Sequence, residues 1–190
     1  MFKKILSLIA VCILFTGCSS VISTVRSTPI QDDPHSRSFG STIDDNIIET
    51  KAKVNLSEAS SFFDQANIVV VSYNGVILLA GQVPNEELIQ TASDALKPIV
   101  KVRSIHNELT VGPNTSIFAH SYDSWLTAKM NTRLSFTKDI DASHVKVVTE
   151  NKVMYLLGLV TESEAEIITN AATEVDGLDR IVKIFEYINP

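Results

Sequence analysis

Two groups of side chains in this 190-residue sequence are of types and spacings that could do chemistry. One is the Cys18 thiol, set in Gly17-Cys18-Ser19-Ser20. The other is the single tryptophan, Trp125, which precedes Lys129 and Arg133 at helical spacing. Other candidate residues lack the arrangement that chemistry needs. His35, His106, His120 and His144 lack the spacing of converging metal ligands. Ser60-Ser61 and the scattered carboxylates include no nucleophile–base arrangement, so hydrolase chemistry has no visible starting point. Gly75, Gly81, Gly112, Gly158 and Gly177 are spread singly and form no phosphate loop. These features argue against an enzyme and against a metal or organic cofactor.

The setting of Cys18 defines its chemistry. Lys3 and Lys4 precede an apolar run from Ile5 to Phe15, broken only by Ser7. The run is too short to span a bilayer, which takes about 20 apolar residues. A positive start, a short apolar stretch and a small-residue cut site make residues 1–17 a secretory signal peptide. Leu14-Phe15-Thr16-Gly17-Cys18 resembles the bacterial lipobox, with Phe15 standing where leucine is preferred. The resemblance implies a diacylglyceryl group on the Cys18 thiol, cleavage before Cys18, and acylation of the new amino terminus. The alternative is an ordinary signal peptide followed by an incidental cysteine. Ser19, in place of aspartate, is similar to the residues that permit passage to the outer membrane. The expected address is the periplasmic face of that membrane. Acyl chains gain roughly 0.8 kcal/mol per buried methylene, so several of them make a lasting anchor.

Composition narrows the partners. Removing residues 1–17 takes away Lys3 and Lys4 and no acid, so the net charge moves from −6 to −8. That balance excludes the basic footprint of a nucleic-acid binder. Cys12 leaves with the signal and Cys18 carries lipid, so no thiol remains for a disulfide or a metal cluster.

These groups must be positioned by a scaffold, and the scaffold is a repeat. Residues 18–42 are rich in Ser, Thr, Pro, Asp and Arg and read as a lipidated start and flexible tether. Beyond them, Ile68-Val69-Val70-Val71-Ser72-Tyr73-Asn74-Gly75 through Val83 aligns without a gap with Val145 through Val160. Upstream, Asp45, Ile48, Ala52 and Leu56 match Asp123, Leu126, Met130 and Leu134. Downstream, Ile99, Val102 and Ile105 match Val175, Leu178 and Ile181. Each copy opens with a helix whose apolar residues fall about four apart. Two strands follow around a tight turn, and Asn74-Gly75 suits a type I′ hairpin. A second helix begins with Glu86 and Glu87, or with Glu162 and Glu164, where carboxylates favour the helix dipole. A third strand, Ser104 to Val111 or Arg180 to Tyr187, closes the unit. The fold class is α+β: two tandem α-β-β-α-β domains, each with two helices on one face of a three-stranded mixed sheet. Their expected bounds are 43–112 and 121–190, joined by a linker at 113–120. Gly81 and Gly158 are expected where a helix crosses closely over the sheet. Glu162, Glu164 and Glu166 are expected to form a solvated helix face.

This pattern resembles the BON domain, a small module of bacterial envelope proteins. The matching signs are the Asp-x-x-Ile/Leu helix start, the Leu79-Ala80-Gly81 and Leu157-Gly158 steps, and the late Val/Ile ladder. With the lipobox and tether, the chain looks like the dual-BON outer-membrane lipoproteins. The resemblance implies a non-enzymatic protein with no cofactor beyond the lipid on Cys18. It implies binding to anionic, phosphatidylglycerol-like phospholipid through the second domain, support of envelope integrity, and association with division sites.

The residues point to the same domain. On a helix from Tyr122 to Leu134, Leu126, Met130 and Leu134 form the core stripe, and Trp125 points well away from it. Its neighbours are Ala128, Lys129 and Thr132, with Arg133 near the edge and Phe136 in line. Trp favours the headgroup layer, and each cation near an anionic surface adds about 1 kcal/mol. The alternative is that Trp125 packs against the first domain or a loop. In the first copy Ile47 and Lys51 hold the matching positions without a tryptophan, which suits a packing or spacing role. A second functional reading is a protein-interaction adaptor for outer-membrane assembly proteins, with the lipid anchor serving only for location.

Overall fold

Residue choice at three kinds of position builds each repeat: helix caps, hairpin clamps and glycines at close approaches. The computed structural model describes residues 38–113 and 116–189. The signal peptide, Cys18 and the tether through residue 37 lie outside the described residues.

Helix α1 spans Phe39–Ala59, capped by Ser38, whose hydroxyl accepts from the Ser41 amide. It therefore starts four residues before the expected boundary at 43. Strands β1 (Ile68–Tyr73) and β2 (Val76–Val83) form the hairpin, followed by α2 (Glu86–Leu96) and β3 (Ser104–Val111). The second copy has α3 (Ile117–Phe136), β4 (Val145–Glu150), β5 (Val153–Val160), α4 (Glu162–Thr173) and β6 (Arg180–Tyr187). Ser116 caps α3 by accepting from the Ala119 amide, so that helix begins inside the expected linker and adds more than a turn. In each sheet the hairpin is antiparallel and the third strand joins parallel, in the order β1-β2-β3 and β4-β5-β6. Two helices cover one face of each mixed sheet, as the repeat pattern predicts.

The aspartate of the helix-start motif clamps the hairpin. Asn74 and Gly75 have φ of 52° and 76°, and Asn151 and Lys152 have 49° and 60°. Such pairs of left-handed residues make the twisted two-residue turn. Buried Asp45 accepts from the Asn74 and Gly75 amides at 2.8 Å each and from the Ser72 hydroxyl at 2.7 Å. Buried Asp123 accepts from the Asn151 and Lys152 amides, both at 2.8 Å. Each carboxylate ties the first helix of its copy to a turn that would otherwise leave amides unpaired.

Gly81 and Gly158 are structural for a reason other than the expected one. A Cβ on Gly81 would lie 2.5 Å from the Asn67 carbonyl oxygen, and one on Gly158 would lie 2.7 Å from that of His144. The close neighbour is the chain entering the partner strand, not a crossing helix. Gly81 also has a φ of +137°, which disfavours other residues. Glu164 likewise departs from expectation. It lies in a capping box with Thr161, its carboxylate accepting the Thr161 amide at 2.7 Å, while Glu162 and Glu166 are exposed.

The described residues form one compact unit, and its middle is a contact between the two sheets. Strand residues alternate: Ile77, Leu79 and Val83 face the helices, whereas Val76, Leu78 and Ala80 face the other sheet. There they meet Tyr155, Leu157 and Ile184. The Tyr73 hydroxyl donates to the His144 carbonyl at 2.6 Å within this layer. At its edges Arg103 pairs with Glu186 at 2.9 Å, and Arg180 pairs with Glu108 at 3.2 Å. The layers therefore run helix, sheet, sheet, helix. This places α1 and α3 in opposite outer layers.

Candidate functional site

The outer face of α3 carries the candidate site. Its core positions, Leu126, Met130 and Leu134, are completely or almost completely buried and fix the rotation of the helix. Trp125 is consequently turned outward and is 52% exposed. One turn earlier lies Tyr122, whose ring stacks on Trp125 at 5.6 Å between centroids. The Lys129 ammonium sits 5.3 Å from the Trp125 ring centroid, within cation–π range. Ala128 and Thr132 are exposed between them, and the Thr132 hydroxyl donates to the Ala128 carbonyl at 2.8 Å. Phe118 and Phe136 stand at the two ends of the same stripe, 88% and 83% exposed.

The loop after α4 borders this face. The Tyr122 hydroxyl lies over Gly177, where an added Cβ would come within 2.1 Å of it. Arg133 forms an ion pair with Glu174, and Lys129 lies 4.0 Å from Asp176. Both cations of the site thus face carboxylates from the neighbouring loop. Among the residues expected from sequence, Trp125, Ala128, Lys129, Thr132, Arg133 and Phe136 come together on α3. Phe118 and Tyr122 join them: Phe118 precedes the helix start expected at Tyr122, and Tyr122, the first residue of that expected helix, is not among the expected neighbours of Trp125. The Ser116 cap was the available signal.

The first copy differs on the same surface. Ile43, Ile47 and Val54 are exposed on α1, and Ile43, Asn46, Ile47, Thr50 and Lys51 line a shallow depression of about 390 Å³. No aromatic residue stands at the place of Trp125 there. Among the described residues, no group of three or more His, Cys, Asp or Glu could hold a metal ion. None of the described helices is long and apolar enough to cross a membrane.

The outer side of α3 is thus an apolar, aromatic helix face rimmed by paired ions. It lies on the second of two stacked repeats. The BON domain family model matches residues 44–113 and 122–189, and the chain belongs to that family. It is 33% identical over 189 residues to the outer membrane lipoprotein DolP of Haemophilus influenzae, covering 98% of this chain and 97% of that one. It is 32% identical over 152 residues to a 21 kDa hemolysin of Actinobacillus pleuropneumoniae, covering 80% and 78% of the two chains. It is 24% identical over 162 residues to the osmotically-inducible protein Y of Escherichia coli K12, covering 84% and 80%. The chain is a dual-BON lipoprotein of the DolP type, located at the outer membrane.

Proposed function

We propose that this lipoprotein is anchored through acyl groups on Cys18 and binds anionic phospholipid through the outer face of α3. The ligand is a bilayer surface rich in phosphatidylglycerol-like headgroups, and the contact supports envelope integrity, with division sites as its place of action. No catalytic step is part of this reading. One observation carries it: Phe118, Tyr122, Trp125 and Phe136 are all exposed along one side of a single helix. Exposed large aromatics in a row mark an interaction surface, and Trp and Tyr favour the headgroup layer.

The paired cations fit this role. An exposed ion pair is worth only about 0–1 kcal/mol, so Arg133 can exchange Glu174 for a lipid phosphate at little cost. Discrimination between lipids then comes from that exchange, while the aromatic side chains supply most of the binding through apolar burial.

A form beginning at Ser19 keeps every described element and lacks the anchor, so it isolates this contact. It should co-sediment with phosphatidylglycerol vesicles and poorly with phosphatidylcholine vesicles, and Trp125→Glu should remove most of the bound fraction. Equal sedimentation by the two forms, or no preference between the vesicles, contradicts the proposal. The adaptor reading is favoured by a different observation, the exposed Ile43, Ile47 and Val54 on α1. That face belongs to the outer layer opposite α3, where outer-membrane assembly proteins could approach.

A further inference from the structure

The two copies differ where the second helix meets the third strand. In the first copy Asn107, on the helix-facing side of β3, donates through its amide to the Ile89 carbonyl and the Ser93 hydroxyl, both at 2.7 Å. These bonds clamp β3 to α2, and the Ile89 side chain packs against the core beside them. Strand register pairs Val76 with Ser104 and Val153 with Arg180, so Asn107 corresponds to Lys183. Counting from the helix starts, Glu86 and Glu162, Ile89 and Ser93 correspond to Ala165 and Thr169. The second copy has therefore lost the amide clamp and exchanged a large side chain for a small one.

The result is an open groove of about 610 Å³ between α4 and β6. Glu162, Ala165, Glu166 and Thr169 line one wall, and Lys183 and Tyr187 the other. Two further properties decide what fits it. First, among the described residues β6 is an edge strand with only β5 paired beside it in its sheet, which leaves the other side of its backbone as a template for one more strand. Second, the groove is polarised. Val160 pairs with Tyr187 and α4 starts just beyond, at Glu162, so Glu162 and Glu166 lie toward the Tyr187 end, and Lys183 lies toward the other.

We propose that this groove docks an extended peptide segment of a partner protein, added as a strand on the free edge of β6. Main-chain hydrogen bonds to β6 give affinity, and alternate side chains entering the groove give specificity. The segment carries a lysine or arginine that meets Glu162 and Glu166 beside the Tyr187 ring, and Ala165 leaves the room for it. The Lys183 end disfavours a second cation, so the charge pattern fixes the direction of the strand. This site is separate from the lipid-facing stripe of α3 and does not depend on it.

The test selects a phage-displayed library of random nine-residue peptides against the chain beginning at Ser19. Enriched sequences are then made synthetically and titrated. They should carry a basic residue, shift the amide resonances of β6 and α4, and bind Ala165→Ile/Lys183→Asn at least about tenfold more weakly, a loss of about 1.4 kcal/mol. That double variant copies the clamp of the first domain and should bind phosphatidylglycerol vesicles as the unaltered chain does. If it folds poorly, Glu162→Gln/Glu166→Gln serves instead and should weaken the same peptides several-fold. Failure to enrich any peptide overturns the proposal, as do shifts confined to α3 or equal binding by the sealed and unsealed forms. Loss of vesicle binding in a well-folded sealed variant also overturns it, because the groove would then belong to the lipid contact.

Discussion

The two repeats share their internal positions and differ at their surfaces. Asp45 and Asp123 clamp equivalent hairpins, and Gly81 and Gly158 admit equivalent carbonyls. Leu56 and Leu134 end equivalent core stripes. On the outer helix, by contrast, Ile47 stands where the second copy has Trp125. Between the second helix and the third strand, Asn107 stands where the second copy has Lys183. The internal positions answer to geometry that any copy must satisfy: a left-handed turn, a carbonyl at van der Waals range, a filled core. The outer positions answer only to what they touch. Under the proposed function, that division lets one copy take on a contact while the other keeps the unit stable.

The comparison is tested most severely at the glycines. Gly81→Val and Gly158→Val each force a side chain into a backbone carbonyl, and each should cost about 4 kcal/mol or more in urea unfolding. Gly81→Val should be the worse because of its positive φ. A mild effect in one copy would show that the shared positions are not equivalent. Next come the clamps. Asp45→Ala removes the acceptor of two turn amides and a hydroxyl, and should cost about 3 kcal/mol. Asp123→Ala removes that of two turn amides, and about 2 kcal/mol is expected. Equal and negligible losses would mean that the turns hold themselves.

A smaller effect distinguishes the two sheets. Tyr155 lies in the inter-sheet layer, and burial, then the nearby Glu108 carboxylate, push its hydroxyl up to about 12 from an ordinary 10.0. Its first-copy counterpart is Leu78, which does not titrate. Because the folded value is raised, the stabilising contribution of the neutral phenol is fully present below pH 10. It is lost as the pH climbs through about 12, since the unfolded tyrosine ionises first. Unfolding followed across that range should show a steeper loss for the natural chain than for Tyr155→Phe. Parallel curves would remove this difference between the sheets. The smallest effect concerns charge. Glu174→Gln frees Arg133 and should strengthen binding to phosphatidylglycerol vesicles several-fold, by about 1 kcal/mol or less. On α1 the position of Arg133 is held by Asn55, which donates to the Ala95 carbonyl, so a matching change there releases no cation. Unchanged or weakened binding would show that Arg133 does not reach the lipid.

Most of the fold was legible in the sequence because the same spacing of apolar residues occurs twice. The face-to-face packing of the sheets leaves a subtler signal. Val76-Ile77-Leu78-Leu79-Ala80 and Val153-Met154-Tyr155-Leu156-Leu157 are continuous apolar runs, and a strand without a polar face is covered on both sides. The candidate face was legible at Trp125, Lys129 and Arg133 because the core stripe fixes the helix rotation. Its length was not, because a serine cap such as Ser116 is a weak signal without the structure. Glu174 and Asp176 could not be placed beside Arg133 and Lys129 from sequence. They lie more than forty residues away, and only the return of α4 toward β6 brings their loop back.

Under the proposed function the second copy, and not the first, meets the lipid. The most direct measurement is the amide spectrum of the chain beginning at Ser19, titrated with phosphatidylglycerol-containing and then with phosphatidylcholine micelles or bicelles. Shifts are expected along Phe118, Tyr122, Trp125, Lys129, Thr132 and Phe136 with the anionic lipid, with weak shifts for the zwitterionic one and a quiet α1. Equal shifts on Ile43 and Ile47 of α1, or none on α3, would contradict it.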